Sequence, residues 1–302
     1  SQKMRYLVTG GAGFIGSNIV DRLIELGNKV TVVDNESSDA HEQFYWNENA
    51  KNYKYDICDY EAIRHLFTGI DVVFHLAAES RIQPAIHNPI YATTVNTVGT
   101  CNVLQAAREA NVKRVVYSST SAAYGLSNTP PLREDMPRDC LNPYSISKCA
   151  GEDLCKMYTD LYGLETVAFR YFNVYGNRQP IKGQYAPVIG LFLRQKAEGT
   201  PMTIIGTGEQ RRDFTHVSDV VGANLLAADP KNKRVVGQLF NIGTGTNHSI
   251  LDLVEMIGGE KAFLPPRPAE AMISLADNSK AKHLLKWNPQ VCLKNWIENE
   301  NI

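Results

Sequence analysis

The segment Thr9-Gly10-Gly11-Ala12-Gly13-Phe14-Ile15-Gly16 lies between a short strand-like run at 5–8 and a helical pattern that opens at Phe14. Gly10, Gly13 and Gly16 form Gly-x-x-Gly-x-x-Gly in the strand–turn–helix context this spacing requires. Without a Cβ the backbone turns tightly there. A pyrophosphate then reaches the helix N-terminus, whose amides and dipole favour anions. A chain that opens this way is expected to begin with a parallel βαβ unit.

The unit repeats. Strand-like runs at 29–33, 71–75, 114–118 and 166–170 alternate with helical patterns at 14–26, 91–110 and 144–162. The expected fold is α/β, a doubly wound parallel (Rossmann-type) sheet with a second, smaller α/β substrate lobe. The loops become richer in Gly and Pro after Asn173. We expect a dinucleotide-binding domain over 1–175, to which 216–242 returns through a helix at 217–228 and a strand at 238–242. The substrate lobe then covers 176–302.

A chain of 302 residues, 43% hydrophobic and 21% charged, can bury such a core. Its net charge of −1 signals no attraction to nucleic acid or a membrane surface. No apolar run approaches ~18 residues, so no membrane span is expected. Ser-Gln-Lys-Met leads straight into the first strand without a signal peptide, so the cytoplasm is the expected location. The cysteines (Cys58, Cys101, Cys140, Cys149, Cys155, Cys292) show no paired spacing and no histidines at metal spacing. Free thiols and no metal site are expected.

Asp34-Asn35 ends the second strand, where a carboxylate accepts from adenosine ribose hydroxyls and repels a 2′-phosphate. NAD is therefore favoured over NADP, although the same pair also suits a plain turn. Asp56-Ile57, after the next short strand, has the placement expected near adenine. The small residues of Leu76-Ala77-Ala78 let a cofactor pass close to the backbone, or simply end an apolar strand.

Tyr144 and Lys148 occupy one helix face at i and i+4. A phenol titrates near ~10, and a neighbouring ammonium favours its ionised form. Beside a nicotinamide, such a tyrosine can take a proton from an alcohol as hydride leaves. A solvated helix face gives the same spacing by chance, and the glycine turn upstream is what favours the chemical reading.

The glycine turn, Asp34-Asn35, His75-Leu76-Ala77-Ala78, Asn96-x-x-Gly99-Thr100, Ser118-Ser119-Thr120 with Tyr124-Gly125, Tyr144-x-x-x-Lys148 and the run Arg170 to Gly176 together form an ordered set. The chain resembles the extended short-chain dehydrogenase/reductases of the NAD-dependent epimerase/dehydratase family. Within them it is similar to the UDP-glucose and UDP-N-acetylglucosamine 4-epimerases. The resemblance implies tightly held NAD touching Gly10, Gly13, Phe14, Ile15, Gly16, Asp34, Asn35, Asp56, Ile57, Leu76, Ala77, Ala78, Asn96, Ser118, Tyr144, Lys148 and Tyr171. It implies catalysis by Tyr144, Lys148 and Thr120, the last rather than its neighbours Ser119 and Ser121.

Related dehydratases carry an Asp-Glu pair after the Thr120 position, and related decarboxylases a Glu. This chain reads Thr120-Ser121-Ala122-Ala123-Tyr124, which favours simple epimerisation. The resemblance further implies a UDP-sugar contacted by Ser80, Thr120, Tyr144, Asn173, Arg212, Arg267, Glu270 and Ser274, since arginine forks suit phosphate oxygens. Ser274 stands where some relatives carry a tyrosine, and so leaves room for an N-acetyl group. A UDP-glucuronate epimerase, another nucleotide-sugar oxidoreductase, and a catalytically silent NAD(H)-binding regulator are the alternatives. A homodimer through helices 91–110 and 144–162, in a four-helix interface, is also implied.

Overall fold

The protein is described from a computed structural model, over residues 3–39, 41–183, 186–268 and 270–300. Seven strands make the central sheet: β1 (Arg5–Thr9), β2 (Lys29–Val33), β3 (Lys51–Tyr53), β4 (Val72–His75), β5 (Arg114–Thr120), β6 (Glu165–Tyr171) and β7 (Gln238–Ile242). Every neighbouring pair is parallel, in the order β7-β6-β5-β4-β1-β2-β3. The order reverses between β1 and β4, and a crevice opens there beyond the strand ends.

β5 is buried along its whole length, as a central strand covered on both faces must be. Successive side chains point to opposite faces. Val116 accordingly joins one apolar cluster with Val8, Val32, Phe74 and Phe240, while Val115 and Tyr117 join the other with Leu7, Val73 and Leu104. A third cluster gathers Ile189, Phe192, Met202, Ile204, Leu253 and Ile257 from the later elements. There Met202–Ile205 pairs in parallel with Lys261–Leu264.

Helices α1 (Phe14–Glu25), α2 (Gly99–Glu109) and α3 (Pro143–Tyr162) cover the sheet. The helical stretch expected at 91–110 starts earlier, at Pro89, where the Asn88 side chain accepts from the Tyr91 amide. It also contains a π-helical turn, Thr94–Val98, before α2 begins. β1, β5 and β6 each run one or two residues past their predicted ends, to Thr9, Thr120 and Tyr171. β3 is the short strand expected ahead of Asp56, at a sheet edge where Lys51 and Asn52 are exposed.

α3 is specified locally at both ends. Asn142 caps it by accepting from the Ser145 amide, Pro143 opens it, and Gly163 closes it in the left-handed conformation. Its close approach to the sheet needs a glycine, because a Cβ on Gly151 would stand 2.1 Å from the Tyr117 hydroxyl. That hydroxyl donates to the Lys148 carbonyl at 2.9 Å. The first turns of α3 are thereby held over the C-terminal end of β5. No helix among the described residues is long and apolar enough to cross a membrane.

Candidate active site

The turn between β1 and α1 packs so closely on itself and on the end of β4 that Gly10 and Gly16 leave no room for a Cβ. Gly10 has φ of +70°, and a Cβ on it would lie 2.8 Å from the Ala77 amide nitrogen. A Cβ on Gly16 would lie 2.1 Å from the Gly10 carbonyl oxygen. The first turn of α1 holds no acidic residue, so nothing competes with an anion for its amides.

Asp34, at the end of β2, is buried. Its carboxylate accepts from the Ala12 amide at 3.1 Å and the Glu36 amide at 2.8 Å. Burial pushes its pKa up, and those two amides oppose the rise. The Thr9 hydroxyl accepts from the amides of Leu76 and Ala77 at 3.0 and 3.1 Å, and meets His75 Nδ1 at 2.6 Å. The other His75 nitrogen meets the Thr100 hydroxyl at 2.8 Å. Burial, aided by the Lys148 charge, lowers the His75 pKa to about 3, so the ring stays neutral and holds the end of β4 in place.

A cleft of about 1450 Å³ runs from the glycine turn along the ends of β4 and β5 to the later elements. It is lined by Gly10, Gly13, Phe14, Ile15, Gly16, Asp34, Asn35, Asp56, Ile57, Leu76, Ala77, Ala78, Ser118, Thr120, Tyr144, Lys148 and Tyr171. Ser80, Asn173, Arg212, Arg267, Glu270 and Ser274 line the same space. Tyr171 spends its hydroxyl on Ser118 at 2.7 Å and Asn224 at 3.0 Å.

Asn96, expected at the cofactor, is buried beside the cleft. Its carbonyl oxygen accepts from the Glu79 amide, and its nitrogen donates to the Glu79 carbonyl and the Ser147 hydroxyl, at 2.9, 3.1 and 3.0 Å. So engaged, Asn96 ties the loop after β4 to α3.

Tyr144 and Lys148 do not stand as simple i, i+4 electrostatics predicts. Burial pushes the Tyr144 phenol up, and the influence that pulls it down is a hydrogen bond with Thr120. The Lys148 ammonium lies over the Tyr117 ring, 4.6 Å from its centroid. Burial lowers its pKa to about 8. Among the neighbours of Thr120, Ser119 is engaged elsewhere, donating to the Glu152 carboxylate at 2.5 Å.

On the opposite wall, Arg212 is largely buried, donates to the Arg211 carbonyl at 2.8 Å and stands 3.9 Å from Glu270. Asn173 donates to the Asp213 carbonyl at 3.1 Å. The Asp213 carboxylate accepts from the amides of Thr244, Gly245 and Ala276 and from the Thr244 hydroxyl. It fastens the segment leading back to Ser274 against the Arg212 strand.

Sequence reasoning missed two groups. Ser38, His41 and Phe44 line the cleft from a loop without any periodic pattern. Glu152, buried against Ser119, accepts from Arg170 at 2.9 and 2.7 Å and from Arg138 at 3.0 Å. A carboxylate one turn beyond Lys148 was the available signal, since buried acids are rare unless paired.

The model of the NAD-dependent epimerase/dehydratase family matches residues 6–243. The chain belongs to this family. NAD is therefore its cofactor. A family member from Mycolicibacterium smegmatis named UDP-glucose 4-epimerase is 38% identical over 97% of this chain and 96% of its own length. A UDP-glucuronate 4-epimerase of Thermodesulfobacterium geofontis is 34% identical over 97% of this chain and 96% of its own. A solved structure of UDP-N-acetylglucosamine 4-epimerase from Methanobrevibacter ruminantium M1, in complex with UDP-N-acetylmuramic acid, is 34% identical. It superposes with a TM-score of 0.89 over 96% of this chain and 94% of that one.

Proposed function

We propose that the protein inverts C4 of a UDP-hexose or UDP-N-acetylhexosamine. The carrying observation is that Thr120 and Tyr144 share one cleft with the glycine turn, while the stretch after Thr120 lines it through Ser121, Ala122 and Tyr124 without a carboxylate. The residues fit a dinucleotide: a tight glycine turn, a helix start free of acids, and an acid at Asp34. Gly10, Gly13, Phe14, Ile15 and Gly16 would hold the pyrophosphate. Asp34 and Asn35 would hold the adenosine ribose, with Asp56 and Ile57 near the adenine. When bound, NAD supplies a hydride acceptor whose positive charge also favours a neighbouring phenolate.

Tyr144 then takes the proton from the sugar 4-hydroxyl and returns it once C4 presents its other face. Thr120 holds the phenol oxygen in its ionised form by hydrogen bonding. Lys148 supplies positive charge under the same site. Arg212 and Arg267 pair with the diphosphate alongside Asn173, and Glu270 accepts from the uridine ribose. Ser274, half-buried in the cleft wall, leaves space for an N-acetyl group at C2. We assign 1–175 with 216–242 to the dinucleotide-binding lobe and 176–302 to the sugar-nucleotide lobe.

The test is proton NMR of the purified protein with UDP-glucose and UDP-N-acetylglucosamine separately, without added NAD. Conversion of both, with Ser274→Tyr losing only the acetylated sugar, is the expected result. Conversion of UDP-glucose alone by the wild type removes the Ser274 argument. The relative acting on UDP-glucuronate favours a second reading, and conversion of that sugar alone would select it.

A further inference from the structure

Cys140 and Cys149 are nine positions apart in sequence, yet their sulfurs stand 3.6 Å apart and both thiols are free. Cys140 is half-buried in the loop leading into α3, two residues ahead of the capping Asn142. Cys149 is buried within α3, immediately after Lys148. A disulfide needs about 2.05 Å between sulfurs, so closure asks for a movement of roughly 1.5 Å.

The two sides are not equally free to move. Cys149 is held by the packing of α3 on Tyr117, through the Lys148 carbonyl and Gly151. The Cys140 loop is anchored one residue earlier, where the Asp139 amide donates to Ala123 and its carboxylate accepts from Leu126 and Ser127. Between that anchor and the helix lie Leu141 and Asn142, which line the cleft. A bond from Cys140 to Cys149 would close a ring containing Asn142, Tyr144 and Lys148.

We propose that Cys140 and Cys149 form a dithiol modification site for peroxides, and that their oxidation to a disulfide reversibly slows turnover at Tyr144. Cys140 reacts first, because solvent reaches it while Cys149 is buried. Its thiolate attacks a peroxide oxygen, the O–O bond breaks and hydroxide leaves, giving a sulfenic acid. Cys149 then attacks that sulfur, the S–O bond breaks and water leaves. Two thiols lose two electrons, and one hydrogen peroxide becomes two waters. Burial holds the Cys149 thiol protonated, which keeps it inert until the sulfenic acid forms beside it. Drawing Cys140 inward shifts the cleft wall at Leu141 and disturbs the cap that orients the turn carrying Tyr144.

The test treats NAD-loaded protein with hydrogen peroxide and follows crosslinking and turnover together. Trypsin cuts after Lys148, so the two cysteines fall on separate peptides joined only by the disulfide. The expected result is a Cys140–Cys149 crosslink that accumulates as kcat falls several-fold, with dithiothreitol reversing both. Cys140→Ser should keep its turnover through the same treatment, as should Cys149→Ala if it folds. Absence of the crosslink, a crosslink without slowing, or equal slowing of Cys140→Ser would each overturn the proposal. The slowing rests on the epimerase reading. The crosslink is read by mass, with fragment ions separating Cys149 from Cys155 on the same peptide, so a wrong substrate assignment leaves that measurement decisive.

Discussion

Lys148 is a buried ammonium whose pKa in the fold is about 8, against 10.5 for a free lysine, because burial disfavours its charge. The folded state therefore binds fewer protons than the unfolded chain between those values. The contribution to stability is complete above pH 10.5 and is lost as pH falls through about 8. Lys148→Met should raise the melting temperature at pH 7 by more than at pH 10, while turnover collapses. An equal shift at both pH values in thermal scans would show that the charge is not penalised. Thr120 bears on the phenol from the other side. Thr120→Ala removes the influence that opposes the burial-driven rise of Tyr144. The acid limb of its kcat/KM profile should move to higher pH, and Thr120→Ser should restore it. These residue types were legible in Tyr-x-x-x-Lys and the strand-end Thr. Their electrostatic balance was not, because it depends on how deeply each is buried and on Tyr117 lying under the ammonium.

The β1–turn–α1 unit was readable because its determinants are local: glycines where a Cβ collides, and a helix start without acids. Gly16→Ala should abolish NAD retention, seen as a loss of absorbance at 260 nm relative to 280 nm in purified protein. Unchanged retention would mean that the turn opens to accept a methyl group. The ends of α1, α3 and β2 were equally legible from apolar periodicity. The π-helical turn Thr94–Val98 was not, since residues 91–110 read as an unbroken helix. Asn96 lies in this turn, where its side chain is drawn into hydrogen bonds with Glu79 and Ser147. π turns frequently mark functional sites, and this one braces a loop beside the cleft.

At the scale of the whole molecule, the outer face of α3 carries an apolar stripe of Ile146, Met157 and Leu161, with Leu161 67% exposed. The preceding helical stretch adds Ile90, 80% exposed, and Val98. Such exposed apolar area commonly marks an interface, and we propose that two copies pair these faces as a four-helix dimer. Sedimentation should give twice the 33.6 kDa chain mass, and Leu161→Glu should return it to one chain. A wild-type monomer at micromolar concentration would sink the pairing.

The amino-acid sequence alone determined what neighbouring residues impose on each other: the glycine turn, the strand–helix alternation, the spacing of Tyr144 and Lys148, and the missing carboxylate after Thr120. Tertiary structure decided what needs residues brought from afar. It tied Asn96 to Glu79 and Ser147, fastened Asp213 to Thr244 and Ala276, placed Glu152 against Ser119, and set the sulfurs of Cys140 and Cys149 in contact. Periodicity reports which face of an element is apolar. Depth of burial, and the partner that meets a polar group there, follow from how the elements pack, and burial is what moves the pKa values of Tyr144 and Lys148.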